Sequence, residues 1–341
     1  MRLPRPENIH PVIAGLALVC LLSLTACQQL TPTPRTPDPQ SGGGTIQPPP
    51  TGARPVPADG RLYLYALDVG QGDGMLIISP RGKTILIDAG PTEAGDNIVA
   101  TLTKRGVSQL DLVIATHPHA DHIGGMRQVM AAFPVRKFLD SGQAHSTGTW
   151  GRTLTEIQQQ GIEFVRATKG QKIVVEPGLA FDVLHPGTQK ITEVRGGGSV
   201  VNANSIVLRL EYGNFSMLFT GDAEFETEAM LMNQRVNLKA KFLKVGHHGS
   251  RHATSGKFLE TIAPKVAIIS DGANNEYGHP GQATLDRLRR ARVELFRTDM
   301  HGEIVIATDG RTVDVKPTRA ARDTDIWLGR QPVLNELAAN P

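Results

Sequence analysis

The sequence is poor in cysteine: its 341 residues include only Cys20 and Cys27. The chain beyond residue 27 therefore has no thiol, which excludes disulfide partners, thiolate nucleophiles and cysteine-ligated zinc. It also has no long apolar run after Leu24, so no membrane-spanning helix is predicted there. No charge of one sign dominates, because 36 basic residues face 33 acidic ones and leave a net charge of +3. A global preference for anionic partners is thus excluded as well.

Residues 1–26 are predicted to be a signal peptide. Their apolar run, Val12 to Leu24, is shorter than the roughly 20 residues that span a bilayer. It ends in Leu24-Thr25-Ala26-Cys27, which resembles the lipobox of bacterial lipoproteins, where the chain is cut before the cysteine and the thiol is lipidated. We therefore expect a lipid anchor on Cys27 and a location outside the cytoplasm, on a bacterial membrane. An ordinary signal peptide cleaved after Ala26 and an uncleaved anchor are the alternatives.

Residues 27–60 are predicted to be a disordered linker, residues 61–317 a folded domain and residues 318–341 a C-terminal tail. The linker is rich in proline and glycine and includes Pro48-Pro49-Pro50. Its few large apolar residues cannot offset the conformational entropy that folding would cost. The tail shows no clear periodicity of apolar residues.

The folded domain is predicted to consist of two similar halves. Short runs rich in leucine, isoleucine and tyrosine, separated by glycine turns, predict a β-meander over residues 62–88. Helices and buried strands alternate from there to residue 184, and a second block, residues 205–307, repeats the order of strands and then helices. Two such halves predict an α/β fold in which two sheets pack face to face with helices outside, a four-layer αββα sandwich.

The densest cluster of polar residues is His117-Pro118-His119-Ala120-Asp121-His122, where an apolar strand ends and a helix is expected to begin. Imidazole and carboxylate are ligands that zinc, manganese or iron accept when thiolate is absent. His117 and His119 alternate along the loop and can point the same way, which leaves Asp121 and His122 for a neighbouring metal. Solvated surface residues are the alternative, but such groups would repel one another on protonation.

A single loop cannot close a two-metal site, and the second half of the domain supplies partners. Asp222 follows one predicted strand, and His247 and His248 follow the next. Because sites form at strand ends in open α/β arrangements, these residues are expected to join the first cluster. Either His247 or His248 could be the ligand, and His247 is preferred because it comes first after the strand.

These segments resemble the metallo-β-lactamase superfamily, whose signature HxHxDH matches His117 to His122. Over about residues 61–308 the sequence is similar to one branch of it, the metallo-hydrolase domain of the ComEC competence proteins, which form a DNA-uptake channel. The segments that carry this resemblance are Leu67-Asp68-Val69-Gly70-Gln71-Gly72-Asp73, Leu86-Ile87-Asp88-Ala89-Gly90, Leu218-Phe219-Thr220-Gly221-Asp222, Lys244-Val245-Gly246-His247-His248-Gly249-Ser250 and Tyr277-Gly278-His279-Pro280.

The resemblance implies a centre of two divalent metal ions, zinc or manganese. Its implied ligands are His117 and His119 for one ion, Asp121 and His122 for the other, Asp222 as the bridge, and His247 to complete the second sphere. Asp121 and Asp222 are also the implied catalytic residues. Around them, Asp68, Asp73 and Asp88 would orient ligating histidines or cap turns, and His248, Ser250 and His279 would position the substrate or be structural.

One departure from the family pattern concerns the first metal. Most members supply a further histidine within a Gly-His-Thr segment before the bridging aspartate, and this sequence has none there. Asn202 and Asn204 stand where that histidine is expected, and His185 is a further ligand candidate. With one nitrogen ligand fewer, the site could prefer manganese or bind its first metal loosely.

The predicted function is that of a membrane-anchored phosphodiesterase or nuclease acting on DNA outside the cytoplasm. Two divalent ions would share a water, lower its pKa and direct the resulting hydroxide at the phosphorus. DNA and a separate DNA-uptake channel are the implied partners. The basic helix from Leu285 to Arg292, with Arg297 beyond it, could contact phosphates or be merely a solvated helix face. Hydrolysis of a carbonyl substrate (lactone, thioester or β-lactam) and non-catalytic binding at the surface are the alternative functions.

Overall fold

The computed structural model describes residues 59–194 and 198–330. The predicted signal peptide, the anchor at Cys27 and nearly all of the predicted linker lie outside the described residues, as does the end of the predicted tail. The strands are β1 (Leu62–Ala66), β2 (Gly74–Ile78), β3 (Thr84–Ala89), β4 (Leu112–Ala115), β5 (Lys137–Asp140), β6 (Glu163–Arg166), β7 (Lys172–Glu176), β8 (Leu179–His185), β9 (Val207–Tyr212), β10 (Phe215–Phe219), β11 (Phe242–Lys244), β12 (Val266–Ile269), β13 (Glu294–Arg297), β14 (Ile304–Thr308) and β15 (Val313–Pro317).

Helices connect the strands in both halves of the domain. They are α1 (Gly95–Lys104), α2 (Ala120–Ile123), α3 (Met126–Ala132), α4 (Gly148–Gln159), α5 (Val200–Ala203), α6 (Phe225–Asn233), α7 (Gly256–Ile262), α8 (Gln282–Arg290) and α9 (Thr298–His301). Two short 3₁₀ turns, Thr92–Ala94 and Gly246–Gly249, accompany them. Among the helices of residues 59–194 and 198–330, none combines the length and the apolar character needed to cross a membrane.

Each sheet combines an antiparallel part with a parallel part. The first sheet has the order β15-β14-β1-β2-β3-β4-β5-β6, in which β3 to β6 run parallel. The second has the order β13-β12-β11-β10-β9-β8-β7, in which β10 to β13 run parallel. Neighbouring parallel strands end at the same edge of their sheet. Polar residues that follow those strands along the chain are therefore brought close together.

The core has three apolar layers, as a sandwich of four layers requires. Alternate residues of β1 face opposite sides of its sheet: Leu62 and Leu64 pack with Phe181 and Leu208 between the two sheets, whereas Tyr65 joins the layer under the helices of the first half. A third cluster lies between the second sheet and its helices. The central strands are buried on both faces, which explains their nearly continuous apolar sequence. The predicted αββα sandwich is confirmed.

The ordered domain continues past the boundary predicted at residue 317. The backbone N–H of Arg330 donates to the carbonyl of Pro280 (3.0 Å). The guanidinium of the fully buried Arg297 donates to the carbonyls of Ile326 and Leu328 (3.0 and 2.8 Å). The predicted tail is therefore part of the domain up to residue 330, and its irregular backbone explains why it shows no periodicity.

Candidate metal centre

The polar residues of both halves meet where parallel strands end. The segment His117 to His122 follows β4 and leads into α2, whereas Asp222 follows β10. His247 and His248 lie in the 3₁₀ turn directly after β11. The structure thus brings together the two groups of residues that the sequence predicted to form one site.

Asp88 fixes the orientation of His122. The carboxylate of Asp88 accepts hydrogen bonds from the backbone N–H and the hydroxyl of Thr116 (2.8 and 2.7 Å), and its Oδ2 lies 2.8 Å from His122 Nδ1. With Nδ1 held in this way, His122 Nε2 faces Asp222 Oδ1 at 3.2 Å. A carboxylate on one ring nitrogen that leaves the other free is the usual support of a metal-bound histidine.

His248, rather than His247, is the partner of His122. His248 is fully buried, with Nδ1 2.9 Å from the carbonyl oxygen of Ser270. Its Nε2 lies 3.2 Å from Asp121 Oδ2, 3.5 Å from Asp222 Oδ2 and 3.3 Å from His122 Nε2. The preference for His247 in the second sphere is corrected by this geometry. Both histidines have positive φ (45° and 50°), so their order after the strand does not determine which ring points inward.

His247 approaches Asp222 from a different direction. Its Nδ1 lies 2.9 Å from Glu224 Oε1, and its Nε2 lies 3.8 Å from Asp222 Oδ2. His117 Nε2 is 3.7 Å from the same carboxylate oxygen and 3.0 Å from His119 Nδ1. His247 and His117 therefore approach the same oxygen of Asp222, and His117 contacts His119. Sequence reasoning missed Glu224, although it is buried and only two residues beyond Asp222.

Asp73 supports the cluster without facing its centre. One atom each from Asp73, His122, Asp222 and His248 lie within 4.8 Å of one another. The Asp73 carboxylate, however, pairs with Lys244 Nζ (2.8 Å) and contacts His248 on the Nδ1 side (3.2 Å). The Nε2 atoms of both histidines point to Asp121 and Asp222 instead. Asp73 thus lies behind His248, on the side of the ring away from Asp121 and Asp222.

The three candidates for the missing histidine ligand, Asn202, Asn204 and His185, lie in different places. The Asn202 amide nitrogen is 3.3 Å from His247 Nε2. Asn204 instead clamps a loop, because its amide bonds both the N–H and the carbonyl of Ile191 (2.9 and 2.8 Å). His185 bonds the backbone of Ala203, and burial lowers its pKa to about 4; among the described residues its contacts include none of the cluster. His185 and Asn204 are therefore corrected as ligand candidates.

The remaining predicted residues lie at or beyond the rim. His279 is close, with its ring centroid 5.2 Å from that of His247, and burial, with His248 and His247 adding to it, lowers its pKa to about 3. Ser250 is buried, and its N–H donates to the carbonyl of His247 (2.7 Å), so it shapes the turn. Asp68 pairs with Arg319 at the surface (3.0 Å), which removes it from the site. His145, which sequence reasoning missed, lies 5.7 Å from His119 between ring centroids.

The arginines that could contact phosphates according to the sequence differ in how exposed they are. Arg297 is fully buried and paired with Asp299 (2.7 Å), so it cannot meet a phosphate. Arg287 is turned inward and donates to the carbonyls of Ala253 and Thr254 (both 2.9 Å). Arg289, Arg290 and Arg292 are exposed. The run is a helix face with one structural arginine, and Arg297 is corrected as a phosphate contact.

Burial and charge act against each other on the titratable groups. Burial, with His122 and His119 adding to it, lowers the pKa of His117 well below its usual value. Burial also opposes the charged form of His122 and His248, but Asp222 and the neighbouring carboxylates raise the pKa of both well above the usual value. The same imidazoles lower the pKa of Asp222 despite its burial. Protons and metal ions therefore compete for the same nitrogen atoms.

The donor set fits divalent metal ions. With Asp88 and the Ser270 carbonyl at the Nδ1 atoms, the neutral rings of His122 and His248 carry their protons there. Two Nε2 lone pairs then face each other at 3.3 Å, an arrangement that only a proton or a cation between them can stabilise. Asp222 Oδ1 and Asn202 Oδ1 are also buried without a hydrogen-bond partner. Nitrogen and oxygen donors alone suit zinc, manganese and iron.

Comparisons with known proteins agree with this geometry. The model of the metallo-beta-lactamase superfamily matches residues 67–270. ComE operon protein 3 of Bacillus subtilis is 35% identical over 256 residues, which are 70% of this chain and 32% of that protein. Competence protein ComA of Neisseria gonorrhoeae is 30% identical over 239 residues, 70% of this chain and 31% of that protein. The chain spans about a third of the length of these relatives. It belongs to the metallo-beta-lactamase superfamily and is related to competence proteins.

Proposed function

We propose that the protein is a dinuclear metal-dependent phosphodiesterase that cleaves nucleic acid. The observation that carries the proposal is the pair of imidazole nitrogens of His122 and His248, which face each other at 3.3 Å beside the buried Asp222. The lone pairs of the two nitrogen atoms repel each other unless a proton or a metal ion binds between them. The names of the relatives, which are competence proteins, support DNA as the substrate.

The proposed ligands fall into two groups that share Asp222. One ion would be held by His117, His119, His247 and Asp222, and the other by Asp121, His122, His248 and Asp222. Carboxylates lie at the Nδ1 atoms of three of these histidines: Asp88 at His122, Asp73 at His248 and Glu224 at His247. Hydrogen bonds from the Nδ1 atoms of His122, His247 and His248 to Asp88, Glu224 and the Ser270 carbonyl would keep each Nε2 directed inward. Divalent ions bound there supply Lewis-acid activation of water and neutralise charge on the phosphodiester.

The residues around the ions have separate tasks. Burial keeps His279 neutral at pH 7, because its pKa is lowered to about 3, so it offers an uncharged ring next to His247. Tyr277 is 66% exposed and its ring stacks at 5.8 Å from that of His279. An exposed aromatic ring beside the centre is a surface on which a base can stack. These contacts would orient a nucleic-acid strand without recognising its base sequence.

Location and partners form a second part of the proposal. We propose a lipid anchor on Cys27 outside the cytoplasm, supported by the lipobox-like Leu24-Thr25-Ala26-Cys27, and a separate DNA-uptake channel as partner, supported by the names of the relatives. Mass spectrometry of the N-terminal peptide from bacterial membranes is expected to show diacylglyceryl-modified Cys27. An unmodified mature N-terminus at any other residue would contradict the anchor.

DNA cleavage tests the proposed activity. The full-length protein with manganese or zinc is expected to cleave single- or double-stranded DNA and bis-p-nitrophenyl phosphate. His119→Ala should lose at least about a hundredfold in rate, since loss of metal coordination removes charge stabilisation worth several kcal/mol. His252→Ala, a histidine outside the cluster, is the matched control and should keep full activity.

The same preparation also tests the two alternative functions, hydrolysis of a carbonyl substrate and non-catalytic binding. If nitrocefin or a lactone is hydrolysed and phosphodiesters are not, the carbonyl hydrolase is correct and the phosphodiesterase is wrong. If neither class is hydrolysed with any divalent metal, the protein is a binding module.

A further inference from the structure

A cavity of about 450 Å³ has two lysines in its wall, Lys169 and Lys190. It opens between the loops around residues 168 and 190, and one side is formed by α6. Among the described residues that line it, none is acidic. The polar lining residues that matter here are Thr168, Lys169, Thr188, Gln189, Lys190 and Gln234.

Each of the two lysines in the cavity wall donates a hydrogen bond to a neighbouring residue. Both are half-buried. Lys169 Nζ donates to the amide oxygen of Gln234 (2.6 Å), and Lys190 Nζ donates to the backbone carbonyl of Ser141. Each ammonium group thus has a neutral acceptor and keeps further N–H donors for another ligand. Burial lowers the pKa of Lys190, and the charge of Asp140 opposes this shift.

Two series of contacts lead from the cavity wall toward the metal centre. Ser141, the partner of Lys190, lies in the loop whose His145 ring is 5.7 Å from that of His119. Ile191, on the cavity wall, is clamped by Asn204. Asn204 is two residues from Asn202, which contacts His247 (3.3 Å). Lys190 and Ile191 are therefore linked through these loops to the residues around His119 and His247.

We propose that this lysine cavity is a second phosphate subsite, which binds the backbone of the nucleic acid a few nucleotides from the bond that is cleaved. It rests on the proposed phosphodiesterase function. Lysine ammonium groups and threonine hydroxyls donate to the non-bridging oxygens of a phosphate without reading a base. The subsite explains how a chain with a net charge of only +3 would hold a polyanion at one place on its surface.

One double variant and two controls test the subsite in the full-length, metal-loaded protein. Lys169→Gln with Lys190→Gln removes both charges but keeps donors for the Gln234 and Ser141 contacts. Lys169→Arg with Lys190→Arg keeps the charges, and Lys257→Gln removes an exposed charge on α7. Binding of a fluorescein-labelled, hydrolysis-resistant phosphorothioate dodecamer of thymidine is followed by anisotropy at several salt concentrations.

The double glutamine variant is expected to reduce the slope of log affinity against log salt by about 0.7, since the loss of one phosphate contact on a single strand changes the slope by about 0.7. Its KM for a DNA dodecamer should rise, while kcat and the KM for bis-p-nitrophenyl phosphate stay unchanged. The arginine variant and Lys257→Gln should behave like the wild type.

An unchanged slope in the double glutamine variant, or an equal loss in Lys257→Gln, would overturn the subsite. The two proposals can fail separately. If the wild type cleaves no phosphodiester but the slope still falls, the subsite stands and the phosphodiesterase is wrong. If cleavage occurs and the slope is unchanged, only the subsite is wrong.

Discussion

The histidines of the metal centre depend on the carboxylates behind them. Asp88, Asp73 and Glu224 each contact the Nδ1 atom of a different histidine, at 2.8, 3.2 and 2.9 Å. The residues in the HxHxDH motif could be predicted from the sequence because they lie within six positions of one another. Glu224 could not, since its role depends on the packing of a different strand end against the turn of His247.

Asp88 offers a test at the level of one residue. Asp88→Ala is expected to weaken metal binding about 10- to 100-fold, because His122 loses the carboxylate that orients it. It should also lower the free energy of unfolding by about 1–3 kcal/mol, because the buried N–H of Thr116 loses its acceptor. Calorimetric manganese titration and urea denaturation measure the two effects. Asp68→Ala is the control, and equal losses in both variants would contradict the orienting role.

The raised pKa of His122 and His248 predicts how stability depends on pH. A raised folded-state pKa stabilises the protein below the unfolded value, and this contribution is lost as pH rises through the folded value. The lowered pKa of Asp222 stabilises the protein above the ordinary value of 3.8 and is lost as pH falls. The metal-free protein should therefore lose stability on both sides, including above neutral pH.

Bound metal replaces the protons on these nitrogens, so the alkaline loss is expected only without metal. Thermal unfolding of EDTA-treated and manganese-loaded protein, from mildly acidic to alkaline pH, measures this difference. Parallel Tm curves for the two forms would show that the imidazoles do not exchange protons for metal.

At the level of secondary-structure elements, the ends of the parallel strands determine where the site lies. The rule that polar residues after parallel strands converge predicted correctly that the segments after β4, β10 and β11 meet. It could not predict the direction of side chains within the turn after β11, where His247 and His248 both have positive φ. It also could not predict residues 318–330, because that segment is fixed by long-range contacts to Arg297 and Pro280 rather than by its own periodicity.

The C-terminal segment is expected to stabilise the domain through Arg297. This guanidinium pairs with Asp299 (2.7 Å) and bonds the carbonyls of Ile326 and Leu328, all in a fully buried position. Arg297→Met should lower the free energy of unfolding by about 3 kcal/mol, because the buried carbonyls of Ile326 and Leu328 lose their donor and Asp299 keeps only its pair with Arg330 (2.9 Å). Urea denaturation measures the loss.

Arg319→Ala is the matched control, since its pair with Asp68 lies at the surface. It should cost no more than about 1 kcal/mol. A similar small cost for Arg297→Met would show that the C-terminal segment is not held by this residue.

At the level of the whole molecule, two similar halves place one group of ligands each at a common edge. The first half contributes His117 to His122, and the second contributes Asp222, His247 and His248. The αββα sandwich could be predicted because strand and helix patterns repeat along the chain and the central strands are buried on both faces. The match to the superfamily over residues 67–270 confirms the resemblance that the same motifs indicated.

The central claim is that Asp222 joins two metal ions in a phosphodiesterase. The most direct measurement is the number of manganese ions bound per chain by wild type and Asp222→Asn, under conditions in which DNA cleavage is followed in the same samples. Wild type is predicted to bind two ions and to cleave DNA, and Asp222→Asn is predicted to hold at most one ion and to lose cleavage. A wild type that binds no manganese or zinc, or an Asp222→Asn variant that cleaves DNA at the wild-type rate, would contradict the claim.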